Sequence, residues 1–293
     1  MQCNFPVYTY RLDGTPACRP CGSCMGCRLE YARGWAVRCV HEAQFHDVNS
    51  FLTLTLNNDN LPHDRSVDKK VLSDFMREYR RKIEPVKIRF FGCGEYGEAF
   101  SRPHYHVAIF GHRFENLQML RAQQRRSFGR KHFKVGYDND LYKSSDLEKI
   151  WGKGFCTIGD LTFESAGYVA RYVTKKITGK TANDHYKERK PEFALMSRNP
   201  GIGNKWIEKY IHDVYPKDYF TINGNKCRPP RYYDTYYEKH YPAGWKKLKQ
   251  KRRIKADEIP IEEPLRDMHK EKHLNQTTKT LERKLENGQS KRE

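Results

Sequence analysis

The chain has no stretch of about 18 consecutive apolar residues, so it offers no membrane span. Its opening, Met1-Gln2-Cys3-Asn4-Phe5-Pro6, has neither the basic nor the apolar region of a secretory signal. No basic amphipathic helix stands out, which argues against a membrane surface as partner. No internal repeat is visible, which excludes a solenoid or a propeller. Apolar residues make up 37% of the 293 positions. That is below the usual share for a compact chain and predicts one packed core with polar appendages. Acidic residues are also scarce: 36 Asp and Glu stand against 55 Lys and Arg, a formal net charge of +19. Such an excess favours a polyanionic partner, because neutralising phosphates releases counterions. The expected location is a reducing cytoplasm, where the nine cysteines would be thiols or metal ligands rather than disulfides.

Two short segments carry the chemistry. Pro103-His104-Tyr105-His106-Val107 reads as a strand, and side chains at i and i+2 of a strand share one face. Tyr168-Val169-Ala170-Arg171-Tyr172-Val173-Thr174-Lys175-Lys176 reads as a helix, where i and i+4 share one face. The first can present two imidazoles to one metal, and the second two phenols to one substrate. On a basic protein this pairing suggests an enzyme that cuts DNA and keeps hold of the cut end.

Periodicity places these segments in a fold. A helix is predicted over 28–46, a strand over 51–56, a helix over 67–83, and strands over 86–95 and 102–111. Ser145-Asp146-Leu147-Glu148 reads as a capping box opening a short helix to Trp151. A strand over 154–159 follows, then the tyrosine helix from about 163 to 177 with Thr162 as its N-cap. Residues 112–143 remain ambiguous. The order is that of a split βαβ, ferredoxin-like α+β fold with one further helix. Four regions result: a loop-like, Cys-rich segment with its helix (1–46), a nuclease core (47–180), an extension (181–245), and a basic tail (246–293), disordered or a lone helix. The extension holds the turn Asn199-Pro200-Gly201-Ile202-Gly203-Asn204, whose N–H groups could meet a phosphate. Its tyrosines, Tyr232, Tyr233, Tyr236, Tyr237 and Tyr241, either stack bases or pack a small subdomain.

His104 and His106 are candidate ligands of a divalent ion. Glu95, at the end of the preceding strand, is the candidate third, with Glu98 in the loop as the alternative. Two nitrogens and a carboxylate leave positions open for water and a phosphate oxygen, the layout of a catalytic site. A phenol with a pKa near ~10 is a weak nucleophile at neutral pH. A metal on the scissile phosphate and a nearby lysine, Lys175 or Lys176, would lower the demand on it. Arg102, Arg171 and Lys176 are candidate DNA contacts. Cys18, Cys21, Cys24 and Cys27 can hold a structural Zn²⁺, with Cys3 or Cys39 able to replace one ligand. An iron–sulfur cluster is the alternative. A non-catalytic, zinc-knuckle nucleic-acid-binding protein is the competing function class.

Taken together, Phe51-Leu52-Thr53-Leu54-Thr55, His104-Tyr105-His106 and Tyr168-x3-Tyr172-x2-Lys175 resemble the three ordered motifs of rolling-circle replication initiators of the His-hydrophobic-His endonuclease superfamily. Gly94-Glu95-Tyr96-Gly97 ahead of Arg102-Pro103-His104 is similar to the gokushovirus branch of the microviruses. The resemblance spans residues 18 to about 210. It implies an antiparallel sheet of about five strands with the histidines on a central one, and Mg²⁺ or Mn²⁺ as cofactor. It also implies nicking of the phage origin through a 5′-phosphotyrosine, with the double-stranded replicative form and the single strand as substrates, and a host polymerase and helicase as partners. One tyrosine would open the cycle and the other close it.

Overall fold

The structure, a computed structural model, describes residues 3–11, 13–97, 101–121, 141–163, 165–167, 169–170, 186–222, 224–257, 268–270 and 272–276. The chain divides into two compact units: Met1–Gly34 with Val214–Glu293, and Trp35–Asp213. Helix α1 (Met25–Ala43) contributes to both.

The continuous unit is built on a seven-stranded antiparallel sheet. Its strands are β3 (Asn49–Leu56), β4 (Arg89–Tyr96), β5 (Pro103–Phe110), β6 (Gln118–Arg121), β7 (Leu141–Lys143), β8 (Gly154–Gly159) and β9 (Phe193–Met196). They lie in the order β6-β7-β8-β3-β5-β4-β9. The middle of the sheet, β8-β3-β5-β4, is the split βαβ order expected from the sequence. β5 lies between β3 and β4, and β3 lies between β5 and β8. The sheet is wider than the expected five strands. Short edge strands come from the ambiguous 112–143 stretch (β6, β7) and from beyond residue 180 (β9).

Helices α2 (Lys69–Lys82) and α3 (Ser145–Trp151) cover one face. The spacing of Leu72, Phe75, Met76 and Tyr79 puts all four on one side of α2, and they are buried against Leu52, Leu54, Leu56, Val107 and Ile109. Asp68 caps α2 by accepting from the Lys70 N–H, and Arg80, Arg81 and Lys82 complement its C-terminal dipole. The cap of α3 is Ser144, one residue earlier than the motif suggested. Its hydroxyl accepts from Leu147 N–H and donates to Asn116. On the opposite face, Phe91, Cys93, Ala108 and Phe110 meet Cys39 of α1, Ala166, Val169 and Ile202. The alternation of Thr with Leu in β3 follows from this. Its leucines face α2, and Phe51, Thr53 and Thr55 face the other way.

In the other unit, residues expected to be loop-like form a hairpin, β1 (Val7–Tyr10) and β2 (Pro16–Arg19), with Gly14 at φ 76 in its turn. Both strands are largely exposed, so no apolar alternation marks them in the sequence. A second hairpin, β10 (Phe220–Ile222) and β11 (Asn225–Cys227), precedes helices α5 (Arg231–His240) and α6 (Pro242–Asp257); α4 (Asn204–Val214) ends the continuous unit. The start of the basic tail is thus helical to Asp257. Tyr237 stacks on Tyr215 at 4.1 Å and Tyr233 is fully buried, so those tyrosines pack this unit. Arg252 bridges Asp218 and Asp234. Among the described residues no helix is long and apolar enough to cross a membrane.

Candidate active site

Strand register assembles the site. Antiparallel pairing sets Glu95 opposite His104, His104 opposite Thr55, and Thr55 opposite Phe155. The neighbouring row runs Cys93, His106, Thr53, Thr157. All eight positions lie on the sheet face away from α2, because Tyr105, Leu54 and Cys156 between them point to the α2 core.

Both imidazoles are held from behind. Thr55 Oγ1 lies 2.9 Å from His104 Nδ1, and Thr53 Oγ1 lies 3.1 Å from His106 Nδ1. A ring that donates from Nδ1 to a hydroxyl keeps its Nε2 for a ligand, the arrangement seen behind metal-binding histidines. His106 Nε2 meets Glu95 Oε1 at 2.7 Å, and both residues are buried. Burial, then the neighbouring His106 and Arg102, pushes the His104 pKa down to about 4, so this ring is neutral at physiological pH. The donor chemistry fits a hard divalent ion: two neutral imidazoles and one carboxylate. Glu95 and His106 are in direct contact. His104 completes the set from the adjacent ladder position without all three donor atoms closing to within 4.8 Å.

Two residues here had no signal in the motif itself. Thr53 and Thr55 read only as alternation in β3; the register gives them their role. Phe155 is 70% exposed on the histidine face, although its strand is otherwise mostly buried. Arg102 turns inward to the chain, donating to Leu56 O at 2.7 Å and Asn58 Oδ1 at 2.6 Å. Glu98 lies outside the described residues, as do Tyr168, Arg171, Tyr172, Lys175 and Lys176.

The helix that leads to the tyrosines is described at its start. Thr162 caps it as expected: Thr162 Oγ1 accepts from Ser165 N–H at 3.1 Å, and Ser165 Oγ accepts from Thr162 N–H at 2.8 Å. Ala166 and Val169 pack against Cys93, Ala108 and Phe110, on the same sheet face as the histidines. The glycine-rich turn does not offer a free phosphate nest. Gly203 N–H donates to Glu42 Oε2 at 2.6 Å, and Glu42 is further bound by Arg89 and His46. Burial would raise the Glu42 pKa, but these partners hold it below the usual carboxylate range.

A second cluster lies in the other unit. Cys3, Cys21, Cys24 and Cys27 bring their Sγ atoms within 4.8 Å of one another and could hold a metal ion. Cys3, not Cys18, is the fourth member. Cys18 sits exposed on β2 opposite Tyr8, and Cys39 is fully buried in the sheet core. Burial tends to raise the Cys21 thiol, but the Cys24 N–H and Ser23 bring it down to about 6. Burial pushes Cys27 well up.

The family model described as Replication-associated protein ORF2 matches residues 49–177, from β3 through the tyrosine segment. The chain is similar to Replication-associated protein VP4 of Bdellovibrio phage phiMH2K. The two are 33% identical over 252 residues, covering 82% of this chain and 74% of that protein. It is similar to Replication-associated protein ORF2 of Spiroplasma virus 4, 30% identical over 236 residues, 76% of this chain and 68% of that one. A third relative, Replication-associated protein ORF4 of Chlamydia phage 1, is 28% identical over 236 residues, 77% of this chain and 56% of its own length. No solved structure matches the chain.

Proposed function

Because the chain belongs to the family of phage replication-associated proteins, we propose that it starts and ends rolling-circle replication of a small single-stranded DNA phage by nicking and rejoining the origin. The observation that carries this reading is the threonine-backed pair His104 and His106 beside Glu95, on the face where the helix leading to Tyr168 begins. In this reading Glu95, His104 and His106 hold Mg²⁺ or Mn²⁺, which would polarise the scissile phosphate.

Tyr168 or Tyr172 attacks as the phenolate. Its oxygen bonds to phosphorus while the phosphorus bond to the 3′-oxygen breaks, leaving a 5′-phosphotyrosine and, after protonation, a free 3′-OH. Lys175 stabilises charge on the phenolate and the phosphoryl oxygens. The 3′-OH primes a host polymerase, with a host helicase opening the duplex ahead. After one circuit the other tyrosine cleaves the regenerated origin. The new 3′-OH then attacks the first phosphotyrosine and releases a closed circle. Each step exchanges one phosphodiester for another, so no ATP is consumed. Two tyrosines one helical turn apart suit this alternation. The net charge of +19 supplies affinity for the DNA backbone, and the work would take place in the host cytoplasm.

The test uses a labelled single-stranded origin oligonucleotide with Mg²⁺ or Mn²⁺. The wild-type protein should form a covalent adduct resistant to denaturation. Tyr168→Phe combined with Tyr172→Phe should form none while still binding the DNA. An adduct on the double variant would refute the tyrosine assignment. A wild-type protein that binds but never nicks would instead support a purely nucleic-acid-binding role.

A further inference from the structure

We propose that Cys3, Cys21, Cys24 and Cys27 bind one Zn²⁺ through four sulfurs, and that this ion clasps the base of the β1–β2 hairpin to the start of α1. The site is separate from the histidine face and does not depend on the nicking reaction.

The sulfur geometry is that of a tetrahedral site. All four Sγ atoms lie within 4.8 Å of one another, and Cys3 Sγ stands 3.8 Å from Cys24 Sγ. A tetrahedron with Zn–S bonds of about 2.3 Å has S···S edges of about 3.8 Å. No disulfide joins any of the four. Backbone amides already point at the sulfurs: Cys21 N–H donates to Cys3 Sγ at 3.3 Å, Cys24 N–H to Cys21 Sγ at 3.3 Å, and Cys27 N–H to Cys24 Sγ at 3.5 Å. Such bonds orient ligand sulfurs and offset the negative charge of a four-thiolate site. An all-sulfur tetrahedral set in a reducing compartment selects zinc over hard ions, and binding releases the thiol protons.

The hairpin supplies an independent reason. Each strand has four residues, nearly all exposed, and Val7, Tyr8 and Tyr10 are open to solvent. A two-stranded hairpin with no buried face is at best marginal in water. Cys3 lies just before β1, Cys21 just after β2, Cys24 borders α1 and Cys27 is in its first turn. One ion at that point closes the hairpin and fixes where it leaves the helix, which the few apolar contacts there cannot do.

The experiment measures metal on the full chain purified under reducing conditions. About one zinc per chain is expected for the wild type and for Cys18→Ser, and little for Cys3→Ser or Cys24→Ser. Cobalt exchanged into the wild type should give sulfur-to-cobalt charge transfer and a tetrahedral ligand-field spectrum. Should Cys3→Ser fold poorly, Cys3→His keeps a ligand and should retain metal with weakened charge transfer. Removing zinc should expose residues 3–21 to protease while the sheet stays intact. Iron in place of zinc, no metal in the wild type, or loss of metal on Cys18→Ser with retention on Cys3→Ser would each overturn the assignment.

Discussion

At the scale of single residues, the site depends on side chains that bind nothing themselves. Thr53 and Thr55 orient the two imidazoles through Nδ1, so β3 sets the direction in which β5 presents its ligands. Phe155 ends the ladder row that begins with Glu95 and His104. An exposed ring in that place is suited to stack a base of single-stranded DNA lying across the histidines. Base stacking on an aromatic contributes about 1–3 kcal/mol, so Phe155→Ala should weaken oligonucleotide binding by roughly 5- to 150-fold. Nicking at saturating DNA should be unchanged, and Phe155→Trp should restore affinity; fluorescence anisotropy and single-turnover rates separate these outcomes. The histidines, Glu95 and Thr162 were legible because motif spacing and capping chemistry are local. Cys3 lies outside the tight C-x2-C run of Cys18 to Cys27, and only folding the hairpin back brings it in place of Cys18. The threonine partners and Phe155 depend on strand register, which a one-residue slip would invert and which no single segment encodes.

At the scale of elements, the sheet's central strands were readable because each has one face in an apolar core and so alternates cleanly, as in Leu52, Leu54 and Leu56. The edge strands β6, β7 and β9 and the hairpin β1–β2 are short and half exposed, so the alternation fades. What remained at the hairpin was turn chemistry, Asp13-Gly14, which alone does not define a strand. The start of β8 is held by a different device. Gly154 has φ 144, and a Cβ there would stand 2.3 Å from the Thr55 carbonyl oxygen and 2.4 Å from Asn57 N. Gly154→Ala must therefore push β8 from β3 beside Thr55. A loss of at least about 2 kcal/mol in urea unfolding is expected, from positive-φ strain plus overpacking. The same variant should blunt metal-dependent nicking, because Thr55 positions His104. An Ala variant of wild-type stability would mean the strand yields there freely.

At the scale of the whole molecule, acid should destabilise the protein before it affects a typical carboxylate. His41, stacked on Trp206 with centroids 3.5 Å apart, is buried, and burial pushes its pKa down to about 3. Its unfolded value is near ~6.5, so the unfolded chain takes up the proton first. Stability tied to this ring is therefore complete above about pH 6.5 and is lost as pH falls toward the folded value, by up to about 1.4 kcal/mol per unit. His41→Phe keeps a stacking ring and removes the titration. Thermal unfolding at pH 7 and pH 5 should show a smaller drop for this variant than for the wild type; equal drops would place the acid sensitivity elsewhere. The division of the chain has its own consequence for biosynthesis. One unit is drawn from a continuous run, Trp35–Asp213, and the other from Met1–Gly34 and Val214–Glu293. As the chain leaves the ribosome, the sheet-bearing unit has all its parts first, while the opening cysteines and hairpin must wait for a partner made last. Any event that stops translation early would leave a complete sheet beside an orphaned leader.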